Sequence, residues 1–379
     1  MKRIIITLVF VTLTLFLADF YGPAESNGQE FEASFFLREP QSVAQDLFQR
    51  LFTIGPKNGD NYLQAGLAYF EIGQKRRGAE LFDQALRASP KKYELPLAIG
   101  IAYLKDGDVQ KADEMIQRAI QIKPKEENLY LEAGLAYLQK GQIVKGEEMF
   151  SKVYQYDPDD EENYLEIGIG YLKAGRTEKA SDLFERAIKL KPNRYRTYIR
   201  AAIAYLEADQ DQKAWDLFNR AVAVKPNEEN SYLWMAMACL KKGLEAKAEE
   251  LFAKVVQLDP KDEDNYLDLG EIYAERGQIS RAEALFLPAT ALAPKKANVL
   301  LRIGLALLKA WHTAKAEENF AKVYQLDPKA EDNYVDIGLV YLKMGNSQKA
   351  AELLARGLNL KPRKEKLYLS IAPAFLKKP

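Results

Sequence analysis

The residues able to do chemistry are few, and their types limit what the chain can catalyse. One cysteine, Cys239, and one histidine, His312, stand among 379 residues. A single thiol makes neither an intramolecular disulfide nor a multi-thiolate metal site, and a single imidazole removes the usual zinc sets and any triad centred elsewhere. Gly168-Ile169-Gly170 lacks the third glycine of a dinucleotide loop and falls inside a helical pattern. Asp262, Asp264 and Asp268 are spaced like part of a calcium loop. Leu267, however, stands where that loop must turn on glycine, and Tyr266 where it needs an oxygen ligand. The chain therefore reads as non-catalytic, without cofactor or metal. Lys+Arg and Asp+Glu are both 54, so no basic excess exists to meet a phosphate backbone, and nucleic acid is not an expected partner.

The elements that would position any site are set by an internal ruler. Prolines stand at 56, 90, 124, 158, 192, 226, 260, 294, 328 and 362, each 34 residues after the last, so nine units fill residues 57–362. With the closing proline as position 32, the fourth position is Tyr in seven units, broken by Pro96 and Leu300. The eighth is Gly or Ala throughout (Gly66 to Gly338), the eleventh mostly Tyr, the twentieth Ala or Gly, and the twenty-fourth mostly Phe. Apolar residues at 4, 7, 8 and 11 form one helical stripe and those at 20, 24 and 27 a second, with Gly at 15 marking the turn between them. Each unit is thus a helix pair that cannot bury its stripe alone and must stack on its neighbours. Cys239 occupies an eleventh position and reads as buried filler.

This pattern resembles the tetratricopeptide repeat, over about four-fifths of the chain. The resemblance implies an all-α, right-handed superhelical solenoid of helix-turn-helix units whose first helices line a concave face. Some co-chaperones of that family clamp a terminal carboxylate with Lys at the fifth position and Asn at the ninth. Here the fifth positions run from Leu63 to Val335 and the ninth from Leu67 to Leu339, all apolar except Glu271. The groove floor is therefore expected to be oily and suited to an apolar segment; the alternative is that these leucines pack on adjacent first helices, and both can hold at once.

The sixth position carries the variation, and Trp234 stands there in the sixth unit as an aromatic anchor or, equally, as packing against an adjacent first helix. Leu233, Met237, Arg200 and Arg302 are placed beside it or at equivalent positions, and Asp264, Asp268, Glu271 and Glu275 form an acidic stripe at i, i+4, i+7 and i+11. These nine residues are the expected protein-binding set. Glu166 should pair with Arg200, and Arg302 with Asp268 and Asp336. Pro288, inside a second helix, and Leu300, Leu307 and Trp311, in place of aromatics and turn glycine, predict altered packing between residues 286 and 312. Near copies at 152–168, 254–270 and 322–338 mark recent duplication.

The ends divide further. Met1, Lys2 and Arg3 precede an uncharged apolar run from Ile4 to Ala18, so residues 1–24 read as an export signal cut after Ala24 or as an uncleaved membrane anchor. Either places the rest across the membrane, and the absence of Asn-x-Ser/Thr sequons favours a bacterial envelope. Residues 25–39 read as a linker, 40–56 as a half-repeat helix, and 363–379 as a capping helix that Pro373 stops early. The expected function is a protein–protein interaction scaffold of a cell-envelope assembly, periplasmic or membrane-anchored. It would bind partner segments with an apolar face; a second copy is also allowed. The alternatives are a regulatory or substrate-recruiting subunit of an envelope enzyme, or a carrier of an apolar ligand.

Overall fold

The computed structural model describes residues 30–377; the apolar run and the signal or anchor expectation lie outside them. Twenty-one helices and no strand occur among the described residues. A short α1 (Ala33–Phe36) and α2 (Pro40–Ile54) precede the units. The nine pairs then follow: α3 (Gly59–Glu71) with α4 (Lys75–Ala88), α5 (Glu94–Asp106) with α6 (Val109–Ile122), and α7 (Glu127–Gln139) with α8 (Ile143–Tyr156). Next come α9 (Glu161–Lys173) with α10 (Thr177–Leu190), α11 (Tyr195–Glu207) with α12 (Asp211–Val224), and α13 (Glu229–Lys242) with α14 (Glu245–Leu258). The last are α15 (Glu263–Glu275) with α16 (Ile279–Leu292), α17 (Ala297–Lys309) with α18 (Thr313–Leu326), and α19 (Glu331–Lys343) with α20 (Ser347–Leu360), before a final α21 (Glu365–Leu376).

Close approach explains the small residues. A Cβ added to Gly66 would lie 2.7 Å from the Phe82 ring, so position 8 stays small because position 24 fills the space over it. The fourth-position tyrosines are more than packing. Their hydroxyls donate to the carbonyl of the proline six residues earlier, at 2.8 Å in Tyr130 and 3.0 Å in Tyr164, which ties each junction proline to the helix it introduces.

The two chain ends are not separate caps. α21 packs against α2 as a first helix packs against its second helix within any unit, and it also touches α19 on one side and α3 on the other. The register agrees, since Ala44, Phe48 and Leu51 fall at positions 20, 24 and 27, and Tyr368, Ala372 and Phe375 at positions 4, 8 and 11. All six are buried. Tyr368 donates to Pro362 O at 2.7 Å, as the other fourth-position tyrosines do to theirs. A tenth unit is thereby assembled from opposite ends of the chain, and the solenoid closes on itself. Polar contacts join the seam: Asn58 and Asn61 donate to Glu365 Oε2 at 2.8 and 2.9 Å, and Lys377 pairs with Glu71 at 2.8 Å.

Two expectations are corrected here. Pro373 does not stop the last helix, which runs on to Leu376. Residues 25–39 are not all linker, because Phe31 and Phe36 are buried and strap the seam. Phe31 exchanges hydrogen bonds with the Asn359 side chain at 2.7 and 2.9 Å, and the Phe36 ring lies 5.8 Å from that of Phe375. Pro288 and Trp311 leave the local backbone between residues 286 and 312 regular. α16 spans the same 14 residues as other second helices with Pro288 inside it, and the carbonyl it leaves unbonded, that of exposed Ala284, is on the solvent side. Trp311 adopts φ +67° where seven other turns use glycine and one uses Asp209 (φ +58°), and His312 N still donates to Leu307 O at 2.9 Å, as Gln74 N does to Tyr69 O. The tryptophan takes the glycine's geometry with its ring exposed.

Candidate protein-binding face

Consecutive first helices touch around the ring, whereas consecutive second helices make at most marginal backbone approach. On a closed curve the closer elements are the inner ones, so the first helices form the inner wall. They all run in one direction, and positions 2, 6, 9 and 13 of each make a line along that wall.

The ninth positions form its apolar belt: Leu67, Ile101, Leu135, Ile169, Ile203, Met237, Leu305 and Leu339 are all half-buried. The fifth positions do not join it. Leu233 is 4% exposed, and every fifth-position residue of the nine units except Leu131 is buried, so they pack between neighbouring first helices and offer nothing to a partner. Leu233 therefore leaves the expected binding set. Its one-residue displacement from Trp234 rotates it about 100° around the helix, into the inter-helix seam.

Trp234 and Met237 are half-buried on the inner side, with the Arg196 guanidinium 5.6 Å from the Trp234 ring centroid. Arg200 is held by Glu162 and Glu166 of the preceding unit, as expected for the second of these. Arg302 binds Glu271 at 2.6 Å, Asp268 at 2.6 Å and Asp264 at 2.9 Å. Three carboxylates of the acidic stripe thus share one guanidinium, and Glu275 is the exposed remainder. Arg302 turns towards the preceding unit rather than to Asp336. The partly exposed pairs contribute at most about 1 kcal/mol each to stability, and their larger effect is to fix the charge pattern of the wall.

Of the weighed motifs, Asp262 is the N-cap of α15, accepting from Asp264 N at 2.9 Å, and Gly168-Ile169-Gly170 lies within α9. Cys239 is fully buried, and burial pushes its thiol up to about 11. No cluster suited to a metal ion occurs among the described residues, nor a helix long and apolar enough to cross a membrane.

Reasoning from the sequence missed a hollow of about 500 Å³ on the inner wall of units two to four, with Ile101, Leu135 and Ile169 at its floor, Glu132 and Glu166 at one end and Lys105 and Lys173 at the other. The signal was present in the sixth and thirteenth positions, but only the stacking of α5, α7 and α9 brings them round one space. Burial, and then the charge of Glu94, holds the Glu132 carboxyl above its usual range.

Models of the tetratricopeptide repeat match residues 63–127, 171–240, 240–302 and 331–364. The chain belongs to the tetratricopeptide repeat family. Members of this family are protein-interaction scaffolds, and the repeat fold is generally non-catalytic. Among solved structures, the chain is similar to YrrB, described as a TPR protein with an unusual peptide-binding site, at 21% identity over 49% of this chain and 95% of that one, with a TM-score of 0.30. MamA is similar at 23% identity over 43% of this chain and 95% of that one, with a TM-score of 0.29. Yeast Tom70 is similar at 15% identity over 84% of this chain and 79% of that one, with a TM-score of 0.37. No curated protein matches.

Proposed function

We propose that the chain is a non-catalytic scaffold that holds partner segments with an apolar face against the inner wall of its ring, as part of a bacterial cell-envelope assembly. The observation that carries this reading is the belt of eight half-buried aliphatic and Met side chains at the ninth positions, broken in the nine units only by Glu271. Ten first helices at spacings of about 8–10 Å describe a circle about 25–30 Å across. Subtracting a helix thickness of about 10 Å leaves a passage about 15–20 Å wide, enough for one helix or extended segment. Trp234 and Met237 give the belt its best-anchored stretch, since half-buried aromatics beside charged rims are typical contact anchors.

A photo-crosslinking residue at Met237, compared with one at outward-facing Asn219, tests this in cells that make the protein. Adducts from the inner site alone are expected, and equal yields from both sites would remove the inner wall from the function. The export half of the proposal rests on Lys2, Arg3 and the apolar run from Ile4 to Ala18. A reporter active only in the cytoplasm, fused after Pro379, should be silent; full activity reverses it.

A further inference from the structure

The hollow in units two to four is built unlike the rest of the wall. Its depth depends on Gly170 at a tenth position where six of the nine units carry Ala. A Cβ there would lie 2.6 Å from Leu135 Cδ2, so the missing methyl lets Leu135 lean across and complete the floor with Ile101 and Ile169. The charges at its ends are unmatched. At two other places on the wall acids and bases of adjacent units find each other, Arg302 with three carboxylates and Arg200 with two, whereas Asp336, Glu275 and Lys309 are, like the groups of the hollow, in no ion pair among the described residues. In the hollow, Glu166 is engaged by Arg200, but Glu132 is in no ion pair, and neither the Lys105 nor the Lys173 ammonium has a carboxylate partner among the described residues. The raised Glu132 carboxyl fits the same picture, a partly desolvated acid lacking a cation.

We propose that this hollow binds one amphipathic peptide segment in a fixed direction, its cationic side chain on Glu132, an apolar side chain on the Ile101–Leu135–Ile169 floor and its carboxylate between Lys105 and Lys173. The proposal rests on the inner wall being the partner-binding face and adds the chemistry that the wall selects. Positions 6 and 13 are seven residues apart, a rise of about 10 Å along a first helix. An extended segment advances about 3.3 Å per residue and its alternate side chains share a face, so a base and an acid four residues apart, with the apolar side chain midway, reach both ends and the floor from one side. Complementary charge of this kind selects partner and direction more than it adds affinity.

The test uses the full chain and three capped peptides read by calorimetry: Ala-Lys-Ala-Leu-Ala-Glu-Ala, the same peptide with Glu at both charged places, and the same with Gln at both. The mixed-charge peptide should bind at least tenfold more tightly than the other two. Glu132→Lys makes both ends cationic, so the mixed-charge peptide should lose about tenfold and the doubly acidic one gain about tenfold. The variant Lys105→Glu/Lys173→Glu makes both ends anionic, so the mixed-charge peptide should again lose about tenfold while a fourth peptide, with Lys at both charged places, gains about tenfold, and helical content by circular dichroism shows that each variant is folded. Equal binding of all peptides, or an unchanged order in Glu132→Lys, overturns the proposal and leaves the crosslinking result at Met237 standing. Absence of binding by all three peptides also overturns it, and the partner-face reading falls as well only if that crosslink fails too.

Discussion

Replacing Phe375 by Ala should loosen helices at both ends of the chain at once. Phe375 is 1% exposed, sits at the eleventh position of α21 and lies against the Phe36 ring of the strap at 5.8 Å. Truncating a buried Phe to Ala costs about 3–5 kcal/mol. Because repeat stacks open locally, this cost falls on the seam rather than on the whole ring. If opening of the seam controls amide exchange there, its opening constant rises by about a hundredfold to a few thousandfold, at about 1.4 kcal/mol per factor of ten. In an open array a cap mutation would speed exchange only at that end. In the closed ring α2 loses its first-helix partner when α21 leaves, so residues 40–54 should exchange faster together with 365–376, although more than 300 residues separate them. Hydrogen exchange read by mass spectrometry, peptide by peptide, gives the comparison, with units four to six as internal reference. Small-angle scattering should show a larger radius of gyration for the variant. Acceleration confined to 365–376, with 40–54 unchanged, would falsify ring closure through a shared tenth unit.

Two further outcomes follow from single side chains. Trp311 holds φ +67° with its ring 72% exposed, so Trp311→Gly should raise the urea midpoint of its part of the array by relieving about 1 kcal/mol of backbone strain; a lowered midpoint would show that the indole contributes packing. Cys239, fully buried with its thiol pushed up to about 11 by desolvation, should resist maleimide in the folded protein at neutral pH and react at the ordinary rate in denaturant. The sign for stability follows: the neutral thiol is favoured in the folded state, so its contribution is intact below the unfolded pKa near 8.5 and is lost as pH climbs from there towards 11.

Much of the fold was legible in the sequence. The proline ruler set the units, the apolar stripes set two helices in each, and the small eighth position facing a twenty-fourth-position Phe set their pairing. These are local rules, satisfied within one unit or between neighbours, and they repeat often enough for each position to be read against its equivalents. The same register identified α2 as a second helix and α21 as a first helix, so the halves of the tenth unit were visible separately. Position also placed Trp234 and Met237 on the inner side and paired Arg200 with Glu166 and Arg302 with Asp268. It put Leu233 on the wrong side, because adjacent helical residues point about 100° apart and only the stacking shows which of the two meets a neighbouring helix. Pro288 and Trp311 broke local rules, yet the helix ran through the one and the turn kept its backbone form at the other, since neighbouring units hold each helix and turn from both sides. That the two halves belong together was decided by tertiary structure alone. Closure needs a mean rotation of about 36° per unit summed over ten units, and a few degrees more or less would leave a gap or an overlap. That rotation comes from how whole faces of side chains settle against one another, a property of the stack that no residue type or spacing in a single unit expresses.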